Sequence, residues 1–362
     1  MKSRVRLAAC ALLALLCACG GDSPTNGSSA RFAYISNSSL FLEARRVDPN
    51  TGGLGSGTTQ AANVGGISAA IAVDPLQRYL YAVTATGDIA AFRFDRVSGL
   101  LTPIVGAPFR AGIAPSAIAV DPLGRFVFVA SSDGRNVSAY LLDAATGGLT
   151  PVTGSPFFSG PDPVALAVDP TGSFLFVVNS SNDSVTVFTI EPSTGMLARV
   201  AGSPFPTGLA PHSVAVEPSG TFVYVGNFGG NTISGFALDR ATGALSPLGG
   251  SPFAAGGNPL GMTVHPSGRF LYVADTGSGD VSAFTIEPTT GVLLAIAGSP
   301  FPAGALPQMV ALDPMGRYAY VPNRGADSVS VFSIDASNGA LVALSASPFA
   351  VAPHPAFVLV TD

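Results

Sequence analysis

A small residue followed by Pro-Phe recurs six times at an unbroken interval of 48 residues, ending at Phe109, Phe157, Phe205, Phe253, Phe301 and Phe349. A second set of aromatics keeps the same spacing: Phe92, Tyr140, Phe188, Phe236, Phe284 and Phe332. Self-similarity at a period of roughly 40–50 residues marks a repeat architecture, in which each unit is too small to bury its own faces and must stack on its neighbours. The fold of this chain therefore follows from one unit and from how the array ends.

The unit is clearest over residues 115–157. Residues 116–120 form a short apolar run, and Asp121-Pro122-Leu123-Gly124 places Asp, Pro and Gly where a type I turn wants them. Residues 125–130 read as a β-branched and aromatic strand, 131–135 as a polar loop and 137–142 as a third strand. Ala145-Thr146-Gly147-Gly148 then turns the chain into a fourth strand that ends at Ser155-Pro156-Phe157. Four short strands with tight turns make an antiparallel meander.

The first turn recurs at Asp74-Pro75, Asp169-Pro170, Glu217-Pro218, His265-Pro266 and Asp313-Pro314, yet the second strand occurs seven times, beginning with residues 31–35. That earliest copy has no first strand before it, and residues 356–360 read as a first strand with nothing after it. The sequence predicts an all-β fold: a seven-bladed β-propeller of four-stranded antiparallel blades, closed by pairing the C-terminal strand with the N-terminal blade. Closure removes the exposed sheet edges of an open array.

Charged residues are 11% of the chain, against roughly 25% in typical domains, which fits strands buried on both faces. The domain reading is a lipoprotein signal peptide over 1–18, a flexible tether over 19–30 and the propeller over 31–362. Lys2, Arg4 and Arg6 precede an apolar stretch, residues 7–16, too short to span a bilayer. Leu16-Cys17-Ala18-Cys19 resembles a bacterial lipobox, with Cys19 as the lipidated residue; plain cleavage near Ala18 is the alternative. All three cysteines (Cys10, Cys17 and Cys19) fall here, so the body has no disulfide. Without the signal there remain 14 arginines, no lysine and 22 acidic residues, a net charge near −8 that makes nucleic acid a poor partner. The expected location is the periplasm or cell surface, with membrane contact only through the lipid and the body a monomer.

The chain has no tryptophan, so the Trp-Asp and Trp-docked propeller repeats are excluded, and the kelch double glycine and sialidase Asp-box are also missing. The rhythm of residues 313–321, D-P-x-G-R-Y-x-Y-V, resembles the lactonase or YVTN group of bacterial propellers, over about residues 31–362. Pro211-His212-Ser213-Val214 resembles that family's P-H-S-V, and Asn323-Arg324-Gly325-Ala326-Asp327-Ser328 its N-R-G-H-D-S. The family includes enzymes that open 6-phosphogluconolactone and relatives acting on muconolactone-type rings. Departures from its pattern are Ala326 in place of histidine, Asn227-Phe228-Gly229 in place of D-L-G, Asn258-Pro259-Leu260-Gly261 in place of an Arg-His pair, and Gln308 near an often acidic position.

Alternating strand direction gathers the segments before first strands and the loops after second strands on one face of the ring. Its expected inner members are Ser116, Pro163, His212, Pro259, Gln308 and Pro355; the loops add Arg135, Asn179, Asn227, Asp275, Asn323 and Arg324. A funnel of convergent polar groups is the default ligand site. Lactone opening needs a base to activate water and a group to meet the developing oxyanion. His212 suits the first task and Arg324 the second, with Asp327 orienting either. A hydrogen-bonded rim histidine and an Arg324–Asp327 pair are the bland alternatives. Gln308, Asn227, Asn323, Asp275 and Asn179 are read as ligand-binding groups. His265 sits in a turn on the opposite face and reads as structural; His354, between Pro353 and Pro355, reads as part of a stiffened connection.

Two functions lead, with a purely structural scaffold or adhesion module as a third reading. The leading one is an envelope-anchored module binding a small lactone, a sugar acid or a protein partner through the funnel. The other is a cofactor-independent lactone hydrolase using His212 and Arg324. No cofactor is expected, and the glycines at 229–230 and 277–279 precede no helix, so they are turn residues and not phosphate cradles. Calcium is the one metal that the funnel's Asn and Asp oxygens would suit.

Overall fold

The computed structural model describes residues 31–56 and 60–361, so the predicted signal, tether and Cys19 lie outside the described residues. Seven sheets are arranged as seven blades, each with its strands in sequential antiparallel order. Blade 1 comprises Arg31–Ser36, Phe41–Val47 and Gln60–Asn63, and Phe357–Val360 pairs with Arg31–Ser36 as its innermost strand. Blades 2 to 7 begin at residues 68, 115, 163, 211, 259 and 307. The ring closure expected from the orphan strands at the two ends of the chain is what the structure shows.

Burial explains the sparing use of charge. The second strands of blades 2 to 6, such as Phe126–Ser131, are buried along their whole length. Each of seven apolar clusters joins two adjacent blades, as Phe128 and Val137 of blade 3 pack with Leu175 and Phe188 of blade 4. Tyrosine hydroxyls tie the seams: Tyr81 donates to the Gly147 carbonyl and Tyr224 to that of Gly291, each at 2.8 Å. At the closing seam Tyr320 donates to Gly52 at 2.9 Å. Gly52 has φ +74°, and a Cβ there would fall on the Tyr318 ring, so the position needs glycine on both counts.

The 48-residue signature has a different basis from the one expected. Instead of one fourth strand ending at Ser155-Pro156-Phe157, two pieces, Leu149–Pro151 and Phe157–Phe158, pair with the same third strand Asn136–Leu142. A turn bulges out between them, and its Ser155 hydroxyl accepts the Ala139 N–H at 2.9 Å. Ser203, Ser251, Ser299 and Ser347 do the same in later blades. The serine thus fills the gap in the ladder, since a buried N–H left without a partner is costly.

Buried acids organise the opposite face. Asp121 sits at the turn after a first strand and binds Arg125 Nε at 2.7 Å, while Arg125 stacks on Phe126 with 5.0 Å to the ring centroid. His265 takes the same turn position, with Nδ1 2.8 Å from Ser267 Oγ and Nε2 2.8 Å from the Gly316 carbonyl. Its role is structural, as its position in the repeat implied.

Candidate functional site

The channel along the ring axis is lined by first strands, and a backbone irregularity selects which side chains enter it. In blade 5, Pro211 pairs with Asn227 and Ser213 with Gly226, which leaves His212 unpaired in a bulge. The same step occurs at Val164 and Leu260, and a similar one at Ser116. Bulges re-aim a side chain, and here the equivalent positions of successive blades turn toward the axis. Ser116, Val164, His212, Leu260, Gln308 and Ala356 all line one cavity of about 430 Å³. The register corrects the sequence reading at three places. Pro163, Pro259 and Pro355 are buried one residue earlier, and Val164, Leu260 and Ala356 stand at the mouth instead.

His212 is the titratable group in this lining. Its ring packs against Phe228 with centroids 5.2 Å apart at a tilt of 55°. Burial lowers its pKa below the usual 6.5, with Asp162 pulling weakly the other way, so the imidazole is neutral at pH 7. Gln308 donates its side-chain amide to the Leu306 carbonyl at 2.9 Å, and Ser116 donates to the Pro163 carbonyl at 2.6 Å. Asp162 was not singled out from the sequence, because it belongs to no recognisable motif, and Phe228 entered only as part of a departure from the family's D-L-G.

The remaining candidates are elsewhere. Arg324 is exposed on its loop and forms no ion pair among the described residues. Asp327 is not its partner. The Asp327 carboxylate instead accepts the His354 N–H at 2.8 Å, as Asp183 accepts that of Ala210 at 2.7 Å, pinning one blade's loop to the next. His354 is held there at φ +56°, consistent with a role in the connection. Neither Arg324 nor Asp327 is among the residues lining the channel, so the expectation that they stand with His212 is corrected.

Asn179, Asn227, Asp275 and Asn323 are wholly buried, which corrects their reading as groups open to a ligand. They end the second strands and brace the adjoining loops. Asn227 accepts the Gly208 N–H at 3.0 Å and donates to Ser234 Oγ at 2.9 Å; Asn323 does the same with Gly304 and Ser330. Asn179 donates to Thr186 Oγ1 at 2.9 Å. The oxygens considered for calcium therefore belong to four separate blades, and no group of three or more His, Cys, Asp or Glu is placed to hold a metal among the described residues.

Asp275 is the acid in this otherwise amide set. Its Oδ2 accepts the Ser282 N–H at 3.0 Å, and Oδ1 is buried without a partner. Burial pushes its pKa up to about 7. The native state therefore holds a proton that the unfolded chain releases near its ordinary value of 3.8. Stability is fully present below about pH 4 and is lost as pH rises through about 7, by an amount on the order of a few kcal/mol. Asp275→Asn, which restores the amide of the neighbouring blades, should abolish that decline. Melting of both proteins at pH 4, 5.5 and 7.5 checks it: the advantage of the variant should grow with pH.

The lactonase seven-bladed β-propeller family model matches residues 32–167, 157–208 and 206–306, well over half of the chain. The chain belongs to this lactonase family. Gln308, Arg324 and Asp327 lie beyond the last matched residue, whereas His212 lies within. A search among curated proteins finds no match to the sequence. Among solved structures, the periplasmic gluconolactonase of Pseudomonas aeruginosa is 22% identical, with a TM-score of 0.79 over 92% of this chain and 99% of its own. A candidate 6-phosphogluconolactonase of Bacteroides fragilis is 20% identical, with a TM-score of 0.80 over 94% of this chain and 100% of its own. One from Bacteroides uniformis gives 19% and 0.79 over 92% and 100%. At these identities the likeness establishes the shared fold.

Proposed function

We infer that this family member opens lactone rings at the channel mouth, with His212 as the base. The observation that carries this reading is a neutral imidazole, without a hydrogen-bond partner among the described residues, in a cavity whose other lining residues are uncharged. A base whose pKa lies below the working pH is in the unprotonated form that accepts a proton from water. Water attacks the carbonyl carbon while His212 takes its proton. The ring C–O bond then breaks, and His212 returns the proton to the leaving alkoxide, giving a hydroxy acid. The second amide hydrogen of Gln308 is available for the carbonyl oxygen in place of Arg324. Purified protein should open γ- or δ-lactones well above the buffer rate, followed by acid release in a pH-stat.

A second reading, ligand binding without turnover, is favoured by the place of Arg324 and Asp327 outside the channel. A folded protein that binds lactones yet opens none over a broad panel would establish it and remove the hydrolase.

The lipobox motif supports an envelope location for either activity. Among the described residues no helix is long and apolar enough to cross a membrane. Cys19→Ala should abolish lipid attachment and leave the protein released or unprocessed. A wild-type protein with no lipid mass on its N-terminus, and soluble after lysis, would remove the anchor.

A further inference from the structure

What this site accepts is set by the channel below His212. Its wall is made of Ile118, Leu166, Val214 and Met262, with small residues such as Ala117 and Ala165 between them, and no Lys or Arg is among its lining residues. The mouth ring adds apolar Val164 and Leu260, while Ser116 and Gln308 already donate to main-chain carbonyls. Apolar surface continues outward onto the same face. Ile113, Leu209 and Leu306, each in the segment just before a first strand, are 69%, 59% and 48% exposed. Exposed apolar residues scattered singly need no explanation, but these all lie in the segments just before first strands, Ile113 and Leu209 at the same position of the repeat and Leu306 one residue later. Arg135 and Arg324, on the loops after second strands of that face, are exposed and form no ion pair among the described residues.

Two classes of lactone make opposite demands on such a channel. A phosphorylated sugar lactone brings a dianion and several hydroxyls, all needing partners that the wall lacks, and burying them unpaired is strongly unfavourable. A lactone with an alkyl or acyl substituent leaves its ring and ester at the polar level of His212 and Gln308 and sends the chain down the axis. The cavity, about 430 Å³ with its mouth included, has room for both the ring and the chain.

We propose that the substrate is an uncharged lactone bearing an apolar chain, its ring at His212 and its chain in the axial channel. The proposal rests on the hydrolase reading for turnover, but its ligand class can be tested by binding alone. Calorimetric titration of the full chain with γ-lactams of increasing alkyl length measures binding without ring opening. Affinity should rise about three- to fourfold for each added methylene, until the channel is full. Leu260→Asp, at the partly exposed mouth, should remove at least tenfold of that gain while melting like wild type. Wild-type measurements suffice if that variant fails to fold.

Equal affinity along the series, or tighter binding of a phosphorylated gluconolactone than of an octyl lactone, overturns the proposal. The two readings fail separately. Chain-dependent lactam binding without lactone opening removes the hydrolase and keeps the ligand class. Opening of short and long lactones at equal kcat/KM, with no chain dependence in binding, keeps the hydrolase and removes the ligand class.

Discussion

Removing residues 353–362 should unfold the protein or lower its melting temperature by on the order of 20 °C, whereas starting the chain at residue 31 should leave the midpoint unchanged. The lost strand, Phe357–Val360, is the innermost strand of blade 1 and pairs with residues 33–36. Its side chains serve more than one interface. Val358 and Val360 pack in the cluster that joins blades 7 and 1, and Leu359 packs against the cluster joining blades 1 and 2. Phe357 reaches the channel and the blade 2–3 cluster. Burying two of these side chains fully and two in part is worth at most about 6–12 kcal/mol, comparable with the whole stability of an ordinary domain at about 5–15 kcal/mol. The deletion also leaves Arg31–Ser36 as an open edge, because its pairing to the closing strand is lost. Residues 20–30 carry little apolar surface by comparison. Thermal melting of the two truncations against the full chain makes the test, and equal midpoints would show that closure contributes little.

The architecture was legible because it is written redundantly. Turn residues, alternating strands and orphan strands at the two ends repeat the same statement at a fixed interval, and a ring of seven satisfies all of them. The site was legible only in part. His212 and Gln308 were placed correctly on the mouth, but the prolines at 163, 259 and 355 were grouped with them. The bulge after Pro163 and Pro259 shifts the inward-facing position by one residue, and no periodicity encodes a bulge. The buried amides were misjudged for another reason. A polar residue at a strand end reads alike whether it faces ligand or braces a loop. The sign that separates them was present: a Ser or Thr seven residues on, as in Asn179–Thr186, Asn227–Ser234 and Asn323–Ser330. Asp327 was linked to the site by motif and Arg324 by motif and by its loop on the funnel face, and neither signal specifies distance from the axis.

His212→Ala should lower the rate of lactone opening by about 10²-fold or more, the scale on which a lost general base acts. The melting temperature should barely change, since the ring has no hydrogen-bond partner among the described residues and its packing on Phe228 is at the mouth. His212→Gln keeps a polar side chain of similar reach but cannot take the proton at neutral pH, so it should be as slow as the alanine variant. The pH dependence gives a second readout. Only the unprotonated imidazole accepts a proton from water, and burial holds its pKa below 6.5. The wild-type rate should therefore be level from pH 7 upward and fall on the acid side, with its midpoint below 6.5. Asp162 raises that pKa, so Asp162→Asn should move the acid limb to still lower pH. Arg324→Ala, which removes an exposed side chain outside the channel, should leave kcat nearly unchanged. An unaltered rate in His212→Ala, or a larger loss in Arg324→Ala than in His212→Ala, would transfer the chemistry from the channel mouth to the outer loop.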